Sequence, residues 1–392
     1  MSDPARHTAT DADALIIGGG LAGLTAAILL ADAGKKVLLL EKKKYPFHKV
    51  CGEYVSNEVL PFLQSLGFDP FAYGASRITK LRISTPRGKN IYPALGTGGF
   101  GLSRYTMDQA LAQLAERKGA TVLAGTRAAE IVFNGERFFV TANTGEVFSS
   151  KLLIGSYGKR DVLDKLLHRG FIRDHTGYLA VKYHLETDYP ADEIGLDNFE
   201  GGYCGIVKVE KNRFNLCYLY RRKKRERFSS IAELEENTLF KNPVLKAIFS
   251  NARMLLPKPE AINEVSFASK TAVEAHTLMC GDSAGLIAPL CGNGMSMAVH
   301  AARLLCEEIL SSGILEKSAI TLRERDILEK RYAHIWEKHF RRRLLLGKML
   351  QACFRNPFLA GLSLHSLHAL PALERWVIAN THGKTVPAWQ LR

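Results

Sequence analysis

The chain lacks several features, and each absence narrows what it can be. No window holds about 18 uninterrupted apolar residues, the length a membrane-crossing helix needs, so none is expected. The nearest approach, FLAGLSLHSLHALPALERWVIAN at 358–380, is broken by His365, His368, Pro371 and Glu374. The first thirteen residues have no basic stretch leading into an apolar core, so no signal peptide is expected. Cysteines stand at 51, 204, 217, 280, 291, 306 and 353, an odd number with no CxxC or zinc-type pair. That pattern reads as a reduced, cytoplasmic protein without structural disulfides or a metal site. Tryptophan occurs only at 336, 376 and 389, and no internal repeat or low-complexity segment is visible.

What remains is ordinary globular composition. The chain has 392 residues, 46% hydrophobic and 23% charged, enough for about two to three domain-sized units. The net charge is +14, with clusters RRKKRER at 221–227 and RRR at 341–343. Such clusters fit a solvated surface, an anionic membrane face, or an acidic substrate or protein partner. No nucleic-acid-binding motif accompanies them, so nucleic acid is not expected.

Residues 14–41 read ALIIGGGLAGLTAAILLADAGKKVLLLE. The run Ala14–Ile17 predicts a buried parallel strand. Gly18-x-Gly20-x-x-Gly23 follows at once, then a helical run over Leu24–Asp32 that stops at Gly34, and a second strand over Val37–Leu40 ending in Glu41. Gly18 permits the tight turn, Gly20 lets the backbone approach a pyrophosphate, and Gly23 allows close helix–strand packing. Glu41 is placed to accept hydrogen bonds from an adenosine ribose, which suggests FAD or NAD rather than NADP.

Residues 277–299 read TLMCGDSAGLIAPLCGNGMSMAV: a short strand, Gly281-Asp282, the loop APLCGNG, and a helical run from Asn293 to about Leu310. The N-terminal GxGxxG paired with this distal GD and the Pro-x-x-Gly-x-Gly loop resembles the p-hydroxybenzoate hydroxylase fold of FAD-dependent oxidoreductases. The resemblance implies that Asp282 binds the ribityl chain of FAD and that Pro289–Gly294 lines the isoalloxazine ring. Gly292, Asn293, Gly294 and Met295 would bring backbone N–H groups and a helix N-terminus to the edge where reduced flavin carries negative charge.

Between these segments lies LLIGSYGKRD, residues 152–161. Flavin enzymes of this family usually read GADGxxS here. Gly155 and Gly158 are kept, Tyr157 stands at the acidic position and Asp161 at the serine position. The departure leaves FAD binding in place and weakens conventional nicotinamide binding, so the electron donors to weigh are NAD(P)H, a separate reductase and the substrate itself. Tyr157 is otherwise a packing residue.

HKVCGEYV at 48–55 looks like the geranylgeranyl reductase branch of the fold, in which the cysteine lies near the flavin. This makes Cys51 the first candidate catalytic residue, beside Pro289 and Cys291 in the flavin loop; the plainer reading of Cys51 is a buried structural thiol. Residues 102–123 match the family's SR-x-x-x-D-x-x-L helix, in which Arg104 contacts the cofactor. A cation at a helix start is unfavourable, so an anionic partner such as the FAD phosphates would rationalise it. The strand Tyr203–Val207 lacks the Trp, Phe and Pro of many reductases, and the halogenase Trp-x-Trp-x-x-Pro box is missing, so a halogenase is not expected.

Alternating runs over 178–220 predict a second, mostly antiparallel sheet covering the open face of the flavin. Its Tyr178, Tyr183, Phe199, Tyr203, Phe214 and Tyr218 read as core or as pocket lining. Leu328, Tyr332, Trp336, Phe340 and Leu344 form one apolar helical stripe, and the nearby basic and apolar faces permit peripheral membrane contact. The expected class is α/β: a discontinuous, Rossmann-like FAD-binding domain (1–78, 99–175, 271–320), a substrate domain (79–98, 176–270) and a C-terminal helical region (321–392). The expected activity is redox chemistry on a hydrophobic small molecule. Hydroxylation of an aromatic or conjugated substrate by a monooxygenase comes first, reduction of isoprenoid or polyene double bonds second, and a flavoprotein docking to a partner third.

Overall fold

The computed structural model describes residues 10–173, 175–222, 226, 228–288, 292–355, 376, 380–381 and 383–390. Pro289 and Cys291, most of the 221–227 cluster and the 358–375 segment lie outside the described residues.

Five strands form the parallel centre of an eight-stranded sheet, in the order Thr277–Met279, Val147–Gly155, Thr10–Ile17, Val37–Glu41, Thr121–Ala124. Their near-continuous apolar runs follow from burial on both faces. On one face, Ala14, Ile16, Leu39 and Ile154 pack under the helices Leu21–Asp32, Arg104–Arg117 and Gly294–Ser311. On the other, Leu15, Ile17, Leu38 and Leu153 pack with Phe138, Val140 and Phe148. The hairpin Ala128–Phe133/Phe138–Ala142 extends this sheet antiparallel from Val147–Gly155. The first strand begins at Thr10 rather than Ala14, because Thr10–Ala12 continue the backbone pairing with Phe148–Ser150 whatever their side chains. The first helix begins at Leu21, directly after Gly20, rather than at Leu24.

Register positions the site. Ile17 lies opposite both Leu40 and Gly155, and Gly155 lies opposite Met279. The carboxyl ends of four strands therefore finish on one line. Gly18–Gly20, Glu41, Ser156–Asp161 and Cys280–Asp282 emerge together at the edge where open α/β sheets bind ligands.

The second sheet also has eight strands. Tyr178–Glu186, Phe214–Arg221, Gly202–Lys208 and Glu193–Phe199 are successively antiparallel, and Lys80–Ser84 joins parallel to Glu193–Phe199. Alternation sorts its faces. Val181, Cys204, Leu216, Tyr218 and Tyr220 enter a core with Leu234, Leu239 and Leu245, whereas Ala180, Tyr203 and Leu219 turn to the opposite side with Val265 and Leu286. Tyr183, Phe199 and Phe214 belong to the first of these cores.

The long helix Leu322–Arg355 buries the stripe Leu328, Tyr332, Trp336, Phe340 and Leu344 in the main core, and the Tyr332 hydroxyl donates to the Met279 carbonyl at 2.6 Å. Residues 383–390 return to the first part of the chain: the Val386 N–H donates to the Glu58 carbonyl at 2.6 Å and the Trp389 N–H to Ser65 Oγ at 2.7 Å. No described helix is long and apolar enough to cross a membrane.

Candidate cofactor and active site

The glycine turn explains itself sterically. Gly18 sits at φ +106°, and a Cβ there would lie 2.5 Å from the Ser156 carbonyl oxygen. A Cβ on Gly23 would lie 2.1 Å from the Gly18 carbonyl oxygen. Gly20 differs: a Cβ would meet only Arg104 Nη2 at 3.6 Å and Lys49 Nζ at 3.8 Å. Gly20 thus faces a space bounded by two cations. The helix that follows has no side-chain cap and no acidic residue in its first turn, so its N-terminal N–H groups suit an anion.

Arg104 has a counter-charge on its own helix. Its guanidinium makes a bidentate pair with Asp108, one helical turn on, at 2.6 and 2.7 Å. Lys49 reaches the same carboxylate at 3.0 Å. Burial pushes the Asp108 carboxyl up, but Arg104 and Lys49 outweigh it and hold the group below the usual carboxylate range. Lys49 also lies 3.9 Å from Glu41, so two cations and two carboxylates meet beside Gly20. Glu41 accepts the Gly19 N–H at 2.9 Å and the Lys43 N–H at 3.0 Å while lining the cavity.

The middle segment locks these parts together. Ser156 Oγ donates to the Gly18 carbonyl at 2.7 Å, and the Gly158 N–H donates to Ser283 Oγ at 2.9 Å. Tyr157 packs between the two faces of the first sheet, and its hydroxyl donates to Asp164 at 3.2 Å. Asp164 in turn pairs with Arg169 at 3.0 Å. Tyr157 therefore has a packing and anchoring place, with a buried acid seven residues after it.

The distal segment meets the first as expected. Cys280 N–H donates to the Gly155 carbonyl at 2.9 Å, and Asp282 is half-buried in the cavity wall. Lys270 Nζ donates to the carbonyls of Asp282 and Lys159, each at 2.8 Å. The helix Gly294–Ser311 again starts without a side-chain cap or an acidic first turn, and Gly292, Gly294 and Met295 line the cavity. Asn293 is fully buried behind that wall. Its amide donates to the Thr381 carbonyl at 3.0 Å and to Glu58 at 3.4 Å, so its side chain is directed to the C-terminal segment.

One cavity of about 710 Å³ joins these features. It runs from Glu41 and Arg127, past Gly18, Gly20 and Arg104, to Cys51, and then into an apolar half lined by Leu196, Tyr203, Gly205, Leu219, Val265 and Leu286. Of the aromatic candidates, Tyr203 and Tyr218 border it. Cys51 lines the cavity together with Arg104 of the cofactor-side helix, and its carbonyl accepts from Asn215 Nδ2 of the second sheet at 3.1 Å.

Behind Cys51 lies a cluster that sequence reasoning missed. Glu53, fully buried, accepts from Lys182 Nζ at 2.5 Å and faces His184 Nε2 at 2.7 Å. Burial pushes the Glu53 carboxyl up, but Lys182, with His184, holds it down at about 2. The one sequence signal was the Lys182-x-His184 pair on one face of an otherwise apolar strand. Its partner, 129 residues earlier, had no local mark.

The donor set fits FAD: a glycine turn whose open position faces Arg104 and Lys49, an acid at the end of the second strand, and two uncapped helix starts on one cavity. Residues 11–312 match the FAD binding domain family. The chain is similar to the menaquinone reductase of Mycobacterium tuberculosis (strain H37Rv), 25% identical, over 76% of each chain. It is 26% identical to the digeranylgeranylglycerophospholipid reductase of Methanosarcina acetivorans, over 88% of this chain and 85% of that one. Its fold matches the flavin-dependent halogenase CmlS with a TM-score of 0.71 at 19% identity, covering 89% of this chain and 65% of that one. With the cradle, the cavity and these likenesses together, the chain belongs to the FAD binding domain family and is an FAD-dependent oxidoreductase of the p-hydroxybenzoate hydroxylase and halogenase fold type.

Proposed function

We propose that the enzyme reduces a carbon–carbon double bond in a long apolar isoprenoid chain. The observation that carries this reading is the place of Cys51, at the junction of the cofactor cradle and the apolar half of the cavity, beside Arg104. The two curated relatives named above are reductases, one of menaquinone and one of a digeranylgeranyl lipid by name. Bound FAD supplies the hydride in this chemistry, after reduction by NAD(P)H or a partner reductase.

The chain's own residues supply the rest. Lys49, Arg104 and the N-terminus of Leu21–Asp32 hold the diphosphate. The uncapped start of Gly294–Ser311 offers partial positive charge where negative charge develops. Leu196, Tyr203, Leu219, Val265 and Leu286 bind the apolar chain and exclude water. Cys51 Sγ holds the proton that the second carbon receives.

The test is turnover of a reduced enzyme with a geranylgeranyl substrate under argon and under air, read by product mass. A product carrying two added hydrogens, formed without oxygen, supports the reading. A product carrying one added oxygen, formed only in air, replaces it with hydroxylation. Cys51→Ser is expected to lower turnover by about a hundredfold or more, as for loss of a proton donor, with FAD affinity unchanged.

A further inference from the structure

Glu53 lies two residues after Cys51 and holds its backbone at φ +55°, the left-handed region that non-glycine residues seldom adopt. Such a conformation persists where the surroundings over-determine it. Here they do so from three sides. One carboxylate oxygen accepts from Lys182 Nζ at 2.5 Å and from the Arg104 backbone N–H at 2.7 Å, and the other faces His184 Nε2 at 2.7 Å. Lys182 also donates to the Lys49 carbonyl at 3.2 Å, and Asn215 grips the Cys51 carbonyl.

The partners come from different layers. Lys182 and His184 belong to the strand Tyr178–Glu186 of the second sheet, Asn215 to Phe214–Arg221, and Arg104 opens the helix Arg104–Arg117. The turn Cys51-Gly52-Glu53 is thus tied to the cofactor-side helix and to the substrate-side sheet through one buried carboxylate. Lys182 and His184 stand behind the residues that line the cavity, whereas Cys51, Gly52 and Glu53 are among them.

We propose that Glu53 is a positioning residue: its buried carboxylate, held by Lys182 and His184, fixes the strained turn that sets Cys51 in the cavity wall. The effect on turnover rests on the reading given above; the effect on the thiol does not.

The experiment measures alkylation of Cys51 by iodoacetamide, followed by mass spectrometry of its peptide, in the FAD-free and FAD-loaded protein. The variants are Glu53→Gln, Lys182→Met and the two combined, with half-buried Cys353 on the helix Leu322–Arg355 as internal reference. Each single variant is expected to speed Cys51 alkylation by about tenfold or more while leaving Cys353 unchanged, and to lower kcat rather than raise KM. Where a single variant does not fold, the double variant carries the measurement, because it leaves no buried charge unpaired. Cys51 alkylation within about twofold of wild type in the folded variants overturns the proposal. If wild type fails to reduce a double bond while the variants still speed alkylation, the reaction falls and the positioning role stands. If wild type reduces it and alkylation does not change, the positioning role alone falls.

Discussion

Gly20→Ala separates cofactor binding from folding more cleanly than any other change in the cradle. Gly20 has φ −91° and ψ −175°, which alanine adopts without strain, and the new Cβ would lie 3.6 and 3.8 Å from the ends of Arg104 and Lys49. The substitution restricts the unfolded chain, a gain of about 0.4–1 kcal/mol. Alanine is a poorer helix N-cap than glycine by a similar amount, so stability stays within about 1 kcal/mol of wild type. The methyl group nevertheless points at the two cations, into the space that the proposed binding mode gives to the diphosphate. Losing one charge-assisted hydrogen bond costs about 1.5–3 kcal/mol, which weakens FAD binding by about 10- to 150-fold. Gly18→Ala should behave differently: at φ +106° its Cβ would press on the Ser156 carbonyl at 2.5 Å, and folding should suffer as well. The assay is FAD titration by flavin fluorescence beside thermal unfolding of the FAD-free protein. A folded Gly20→Ala protein that binds FAD within about twofold of wild type refutes the reasoning.

Three other changes probe other parts. Gly205 borders the apolar half of the cavity with no atom nearer than 3.8 Å to a Cβ, so Gly205→Leu should raise KM for a long isoprenoid by about tenfold or more with FAD affinity unchanged, as steady-state kinetics would show. Burial holds the Lys270 ammonium down at about 8 against 10.5 in the unfolded chain. Between those values the unfolded chain binds more protons, so stability rises with pH across the window, and the penalty is full below it. Lys270→Met should remove a slope of up to about 1.4 kcal/mol per pH unit in urea unfolding over that window. Glu58 is fully buried and accepts from the Gly383 N–H and from Arg343, so Glu58→Ala should cost about 3–5 kcal/mol and expose residues 383–390 to limited proteolysis.

The legible parts of this molecule were those whose patterns are local. The Gly18–Gly23 turn, the strand into Glu41 and the strand-glycine-acid pattern ending at Asp282 each show as a pattern within a dozen residues, although the atoms that exclude a side chain at Gly18 belong to Ser156 and Tyr157. The C-terminal stripe was legible for the same reason, since one helical face repeats whatever it packs against. Arg104 was half-legible: its placement in the wall followed from the helix motif, but its counter-charge turned out to be Asp108 of the same helix. Tyr157 needed Asp164 and the packing of the first sheet to show its place. What could not be read were long-range closures. Glu53 meets Lys182 and His184 across 129 and 131 residues, and Glu58 meets Gly383 across 325. Asn293 points to the C-terminal segment for the same reason. Such contacts arise from how segments far apart in the chain pack against one another, and single-chain periodicity holds no record of it.

The most direct measurement is reoxidation of the dithionite-reduced, FAD-loaded enzyme in the absence of oxygen, followed in the visible flavin band. Adding a geranylgeranyl substrate should restore the oxidised spectrum in proportion to the double bonds saturated, and Cys51→Ser should slow that return. A spectrum that recovers only when air is admitted, whatever substrate is present, contradicts double-bond reduction in this cavity.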